Sequence, residues 1–190
     1  MTTISVVRKD GQIAIAADTL TKWGSGKESA KYIRNSGKII RIEDNFIAVT
    51  GNATFKMILK EYFMDKSQSI SLHSVDDIFQ TWNKLHLKLK EKYFLMPEED
   101  KEDAIESSRM DVLIANPHGI FGVSGHRTVQ EFSRFYAYGS GSDYALGAMW
   151  AKYESHEINA ETIARKSIEA AAEFDDGTGL PLDSFTFTAR

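Results

Sequence analysis

The 190-residue sequence predicts an α+β fold: two mainly antiparallel sheets packed together, with a helix pair on each outer face. Three observations lead there. Strand-like runs are joined by hairpin signals, which makes the sheets antiparallel. Helical patterns come in pairs instead of alternating with single strands, which argues against βαβ units. Each pattern also carries an apolar stripe that a sheet can cover.

The elements follow in order. "TTISVV" and "QIAIAAD" flank "RKDG", where Asp10-Gly11 is a strong hairpin signal. Residues 19–36 are polar and rich in Gly, Ser and Lys, and read as a long loop. "KIIRI" and "FIAVTG" stand either side of "EDN" as a second hairpin. From residue 53 to about 66 the spacing is helical, with Phe55, Ile58, Leu59 and Phe63 on one stripe. A second helix carries Val75, Ile78, Phe79, Trp82, Leu85, Leu89 and Tyr93, and Ser74 with Asp77 forms its N-terminal cap signal. "MPEEDKEDAIESS" has six acidic residues and no period, so it reads as a solvated connection. "DVLIA" and "IFGVSG" resume the strands around "NPHG", and "EFSRFYAYG" continues the sheet. Helices are expected from 144 to about 153, and from 160 to about 174 with Ile163, Ala164, Ile168 and Ala172. "SFTFT" closes the chain as a strand. No internal repeat interrupts the order, and residues 1–190 are expected to form one domain.

Composition narrows the function. Apolar residues at 42% and charged residues at 26% are ordinary for a globular protein. A net charge of −4 argues against nucleic acid or an anionic membrane surface as partner. The chain has no cysteine, so disulfides, thiol catalysis and zinc–thiolate sites are excluded. No basic-then-apolar leader precedes "TTISVV", and no apolar run reaches the ~20 residues that span a bilayer. A cytoplasmic location is expected.

Common catalytic signatures are missing. The five histidines show no metal-ligand spacing, and neither a P-loop nor a G-x-S-x-G elbow occurs. "YGSGSDYALG" lacks the third glycine of a dinucleotide fingerprint, since Tyr144 stands there. Asp76 and Asp77 fall at a helix start, where capping explains them. No metal or cofactor is expected in this chain.

The N-terminus remains. Removal of Met1, which is readily cleaved before a small residue, would leave Thr2 terminal. Its α-amine, with an ordinary pKa near ~7.7–8.0, could then take the proton of its own hydroxyl. Asp18 ends the run "IAIAA", and Lys38 opens "KIIRI". Each alone reads as a solvated strand-end charge; together they supply the carboxylate and cation that a threonine–amine nucleophile needs.

These stretches resemble the N-terminus of proteasome β-subunits and of the peptidase subunit of the bacterial two-component ATP-dependent protease. The likeness continues through "GKIIRI", "FIAVTGNAT" and "YAYGSGSDYALGAM" to "EAAAEFDDGTG", nearly the whole chain, and is strongest to bacterial proteasome-β-like homologues. It implies the N-terminal-nucleophile hydrolase fold, a four-layer αββα sandwich. It implies Thr2 as nucleophile, Asp18 and Lys38 as its orienting pair, and Gly51 as oxyanion donor through its backbone N–H. Ser140 matches the serine that bonds the amino terminus. Asp175 and Thr178 match an Asp-x-x-Ser pair, with threonine replacing serine. The loop before Lys38 is longer than the family's spacing, so Lys31 competes for the lysine role. No propeptide is expected before Thr2 beyond Met1, and Val49 lies near the expected specificity pocket.

The resemblance further implies a threonine endopeptidase acting on peptides and proteins, stacked homo-oligomeric rings, and a separate ATP-dependent unfoldase. A small-molecule amidase of the same nucleophile class and a catalytically silent ring subunit are the alternatives.

Overall fold

The computed structural model describes residues 2–67, 69–96 and 104–190. Met1 and most of the acidic connection (97–103) therefore lie outside the described residues. Strand β1 (Thr3–Lys9) turns back into β2 (Gln12–Asp18) through Asp10 and Gly11, whose φ angles are 50° and 73°. Such a left-handed pair matches the twist of the two strands, and it sets Ile4 opposite Ala17. β5 (Ile39–Ile42) and β6 (Asn45–Val49) form the second expected hairpin, and β7 (Val112–Asn116) and β8 (Gly119–Val123) the third.

Two corrections concern strands. The 19–36 loop contains a short ribbon, β3 (Thr21–Trp23) paired with β4 (Gly26–Glu28). Three-residue strands with no buried residue carry no periodicity to read. The run "EFSRFYAYG" is two strands in different sheets. β9 (Val129–Phe132) pairs with β8, whereas β10 (Phe135–Gly139) pairs with β1. With β11 (Leu182–Thr188) added, one sheet runs β10-β1-β2-β11 and the other β5-β6-β7-β8-β9, all antiparallel.

Alternation along the strands builds the layers. Ile4, Val6, Ile13, Ile15 and Ala17 face Phe46, Ala48, Leu113, Ala115 and Ile120 between the sheets. Full burial of each larger apolar side chain contributes about 1.5–3 kcal/mol. The opposite residues face helices. Ile47, Val49, Val112, Ile114, Phe121 and Val123 pack with α1 (Thr54–Met64) and α2 (Val75–Glu91). Val7, Ala14, Ala16 and Ala137 pack with α3 (Ser142–Tyr153) and α4 (Ala160–Phe174). The molecule is thus the αββα sandwich the sequence predicts.

The Ser74 hydroxyl caps α2 by accepting from the Asp77 N–H at 3.2 Å, as its spacing predicts. Two residues of the expected α2 stripe depart from it. Phe79 is 49% exposed, and Tyr93 lies beyond the helix end.

Candidate active site

The site forms where the β1–β2 hairpin ends between the two sheets. Since Ile4 pairs with Ala17, the hairpin brings Asp18 beside Thr3, whose backbone N–H donates to Asp18 Oδ1 at 3.0 Å. Asp18 is fully buried. Its Oδ1 also accepts from Lys38 Nζ at 2.7 Å, and its Oδ2 accepts from the Leu20 and Gly179 N–H groups at 3.0 and 3.1 Å. An isolated buried carboxylate would be costly; three N–H donors and an ammonium remove that cost.

Lys38 precedes β5 by one residue and is almost buried. Burial lowers its pKa and outweighs the upward pull of Asp18, with Lys56 adding to the lowering. The competing candidate, Lys31, is exposed and lies over the Tyr32 ring. The structure therefore gives the pairing to Lys38.

Strand β10 holds the other side of the N-terminus. Thr3 pairs with Gly139, and the Ser140 N–H donates to the Thr2 carbonyl at 2.9 Å. Gly139 has φ 107°, and a Cβ there would lie 1.8 Å from the Thr2 oxygen. Only glycine permits this approach.

Ser140 and Thr178 both donate to Asp175 Oδ2, at 2.7 and 2.6 Å. Burial raises the Asp175 pKa, but these bonds and one from the Gly177 N–H reverse the effect and leave it below the ordinary value. Thr178 is in turn 2.6 Å from the Thr3 hydroxyl. The replacement of serine by threonine at 178 thus keeps a hydroxyl in contact with the acid.

Thr2, Lys38, Val49 and Gly51 line one cleft of about 500 Å³. Gly51 follows β6 with φ 101°, and a Cβ there would meet the Arg109 carbonyl at 2.8 Å. A side chain would therefore disturb the backbone at the cleft wall. All seven residues singled out in the sequence, Thr2, Asp18, Lys38, Gly51, Ser140, Asp175 and Thr178, gather in this region, either on the cleft or in the hydrogen-bond network behind it.

Sequence reasoning missed Thr3, Gly139, Gly141 and Gly179. The glycines of "YGSGS" were the available signal, because glycines around a serine mark a close backbone approach. Among the described residues, no group of three or more His, Asp or Glu is placed to hold a metal ion. Nor is any described helix long and apolar enough to cross a membrane.

No protein-family model matches the chain. It is 33% identical over 181 residues to the "ATP-dependent protease subunit HslV" of Desulfovibrio desulfuricans, covering 90% of this chain and 89% of that one. It is 60% identical to a solved structure of Thiobacillus denitrificans BPH, with TM-score 0.95 and coverage of 100% and 99%. A second structure, described as Thiobacillus denitrificans BPH in complex with epoxomicin, is 59% identical, with TM-score 0.94 and full coverage of both chains.

Proposed function

The chain belongs to the HslV family of ATP-dependent protease subunits, and from that premise we propose how its own residues perform the reaction. It is a threonine-type peptidase subunit of a ring-shaped protease, hydrolysing peptide bonds. The observation that carries the residue assignment is the shared cleft of Thr2, Lys38 and Gly51, with Asp18 buried behind Lys38.

In the processed chain Thr2 is terminal. Its Oγ attacks the scissile carbonyl carbon while the hydroxyl proton passes to the Thr2 amine. The Gly51 N–H stabilises the oxyanion of the tetrahedral intermediate. That intermediate collapses with cleavage of the C–N bond, and the departing amine takes the proton back. Water then hydrolyses the acyl ester, with the Thr2 amine again accepting and returning a proton.

Lys38 acts as the cation of the site. Burial weakens its hold on the proton, but losing that proton would leave the fully buried Asp18 without its counter-charge. It therefore stays an ammonium at neutral pH and lowers the pKa of the neighbouring Thr2 groups. Asp18 fixes its position, and Asp175 with Ser140 and Thr178 supports the N-terminal backbone. The reaction draws on no cofactor. Stacked homo-oligomeric rings enclose the sites, a separate ATP-dependent unfoldase supplies chains to them, and the assembly works in the cytoplasm.

Epoxomicin, present in the structure of the similar Thiobacillus denitrificans protein, is the probe for this reading. Protein beginning at Thr2 gains one inhibitor mass by intact-mass measurement and loses peptide hydrolysis in proportion. Thr2→Ala gains none and is inactive. An assembled wild-type protein that neither labels nor cleaves peptides would be a silent subunit. Peptide cleavage by Thr2→Ala at near wild-type rate would overturn the nucleophile assignment.

A further inference from the structure

Thr3 lies between two carboxylate centres behind the cleft, Asp18 with Lys38 on one arm and Asp175 with Ser140 and Thr178 on the other. We propose that Thr3 is a positioning residue whose hydroxyl ties the N-terminal backbone to the Asp175 arm and holds Thr2 in its attacking geometry. The inference rests on the reading of Thr2 as nucleophile.

Thr3 is fully buried. Its backbone N–H donates to Asp18 Oδ1, the oxygen that also takes Lys38. Its hydroxyl meets Thr178 at 2.6 Å and accepts the Gly141 N–H at 3.1 Å. The direction of the chain follows from counting protons. A threonine hydroxyl has one hydrogen, and that of Thr178 goes to Asp175 Oδ2. Toward Thr3, Thr178 is therefore an acceptor and Thr3 the donor. The sequence runs from Gly141 N–H through Thr3 and Thr178 to the Asp175 carboxylate, with every hydrogen pointing toward the negative charge. Such aligned bonds strengthen one another.

The local geometry serves this chain. A Cβ on Gly141 would lie 2.5 Å from Thr3 Oγ1, so glycine is what lets that N–H reach the hydroxyl. The peptide unit joining Thr2 to Thr3 is then held at three points: the Thr2 carbonyl by Ser140 N–H, the Thr3 N–H by Asp18, and the Thr3 side chain by Thr178. Ser140 and Thr178 converge on the same Asp175 oxygen. A nucleophile one residue away inherits that fixation, and a misplacement of about 1 Å costs about 100-fold in rate.

The test compares Thr3→Val and Thr3→Ser in chains beginning at Thr2, with Thr2→Ala as control. Valine keeps the shape and the N–H bond to Asp18 and deletes only the hydroxyl; serine restores it. Thr3→Val should lose about tenfold or more in kcat with KM within about twofold, and Thr3→Ser should recover to within about threefold of wild type. A Thr3→Val kcat within about twofold of wild type, or a Thr3→Ser enzyme as impaired as Thr3→Val, overturns the proposal. Should Thr3→Val not assemble, Thr178→Val breaks the same chain one bond further on. It must show the same kcat loss, and a normal kcat there overturns the proposal equally. Peptide cleavage by Thr2→Ala would defeat the nucleophile reading itself; a normal Thr3→Val beside an inactive Thr2→Ala defeats only the present inference.

Discussion

Asp18 is the residue on which the site turns, because one carboxylate fixes the start of β1, the loop to Gly179 and the ammonium of Lys38. Removing either partner of a buried ion pair leaves the other uncompensated and costs about 3–5 kcal/mol. Lys38→Ala should therefore be inactive and less stable. Lys38→Arg should not rescue it, since a planar fork cannot occupy the space of a compact ammonium. Lys31→Ala should retain near wild-type peptide hydrolysis, because Lys31 points its charge over an exposed Tyr32 ring. An active Lys38→Ala beside an inactive Lys31→Ala would reverse the assignment. The sequence favoured Lys38, since "KIIRI" fits the family better, but it kept Lys31 as a competitor for a physical reason. Loop length before a strand says nothing about which cation reaches a carboxylate twenty residues back in the chain; the burial of Asp18 decides that. At Thr2 the sequence was more informative, since a terminal hydroxyl and amine are one residue's own groups. Thr2→Ala should abolish peptide hydrolysis with assembly intact, and Thr2→Ser should keep measurable activity.

Among the elements, helices were more readable than strands. The stripe of α4 predicted its observed bounds, Ala160–Phe174, whereas "EFSRFYAYG" hid a passage from one sheet to the other. Alternation shows that residues are in strands, not which sheet they join. That passage matters to the site, because β10 delivers Gly139 and Ser140 to Thr2. Gly139→Ala would force a Cβ into the Thr2 carbonyl and demand a positive φ of alanine. Hydrolysis should fall by about 100-fold or more while far-UV dichroism keeps the helical content. An alanine variant of normal activity would show that β10 does not set the Thr2 position.

α2 gives a pH prediction. His86 bonds Ser108 through Nδ1 at 2.9 Å and Glu106 through Nε2 at 3.1 Å, with Lys90 and Arg127 also near. Burial holds its pKa below the ordinary value, against the Glu106 hydrogen bond and with Arg127 assisting. As pH falls below about 6.5, the unfolded chain takes a proton that the folded chain refuses, so stability drops until the folded pKa is passed. His86→Gln should lose less stability than wild type between about pH 7.5 and 5.5, read from denaturant melts at each pH. Equal losses would mean His86 does not titrate differently on folding.

At the scale of the whole molecule, the four layers were legible because each layer needs an apolar stripe and the stripes are written in the spacing. Strand order was not, since antiparallel partners are chosen by long-range packing between sheets. Nor could spacing reveal that one hydrogen-bond network, running from buried Asp18 through Thr3 and Thr178 to half-buried Asp175, holds the start of the chain. That hold makes processing a property of the whole protein. With Met1 attached, the Thr2 nitrogen is an amide, which has no accessible lone pair to take the hydroxyl proton. Removal of Met1 turns the same atom into an amine, whose ordinary pKa of about 7.7–8.0 the Lys38 ammonium lowers, able to accept and return a proton. Preparations with measured fractions of Met1-retaining and processed chains should show peptide hydrolysis proportional to the processed fraction. Acetylating the Thr2 amine should silence the processed form, because it restores an amide at the same nitrogen without changing the fold. A preparation shown by intact mass to be wholly Met1-retaining, yet cleaving peptides at the rate of processed protein, would mean that another group serves as the base.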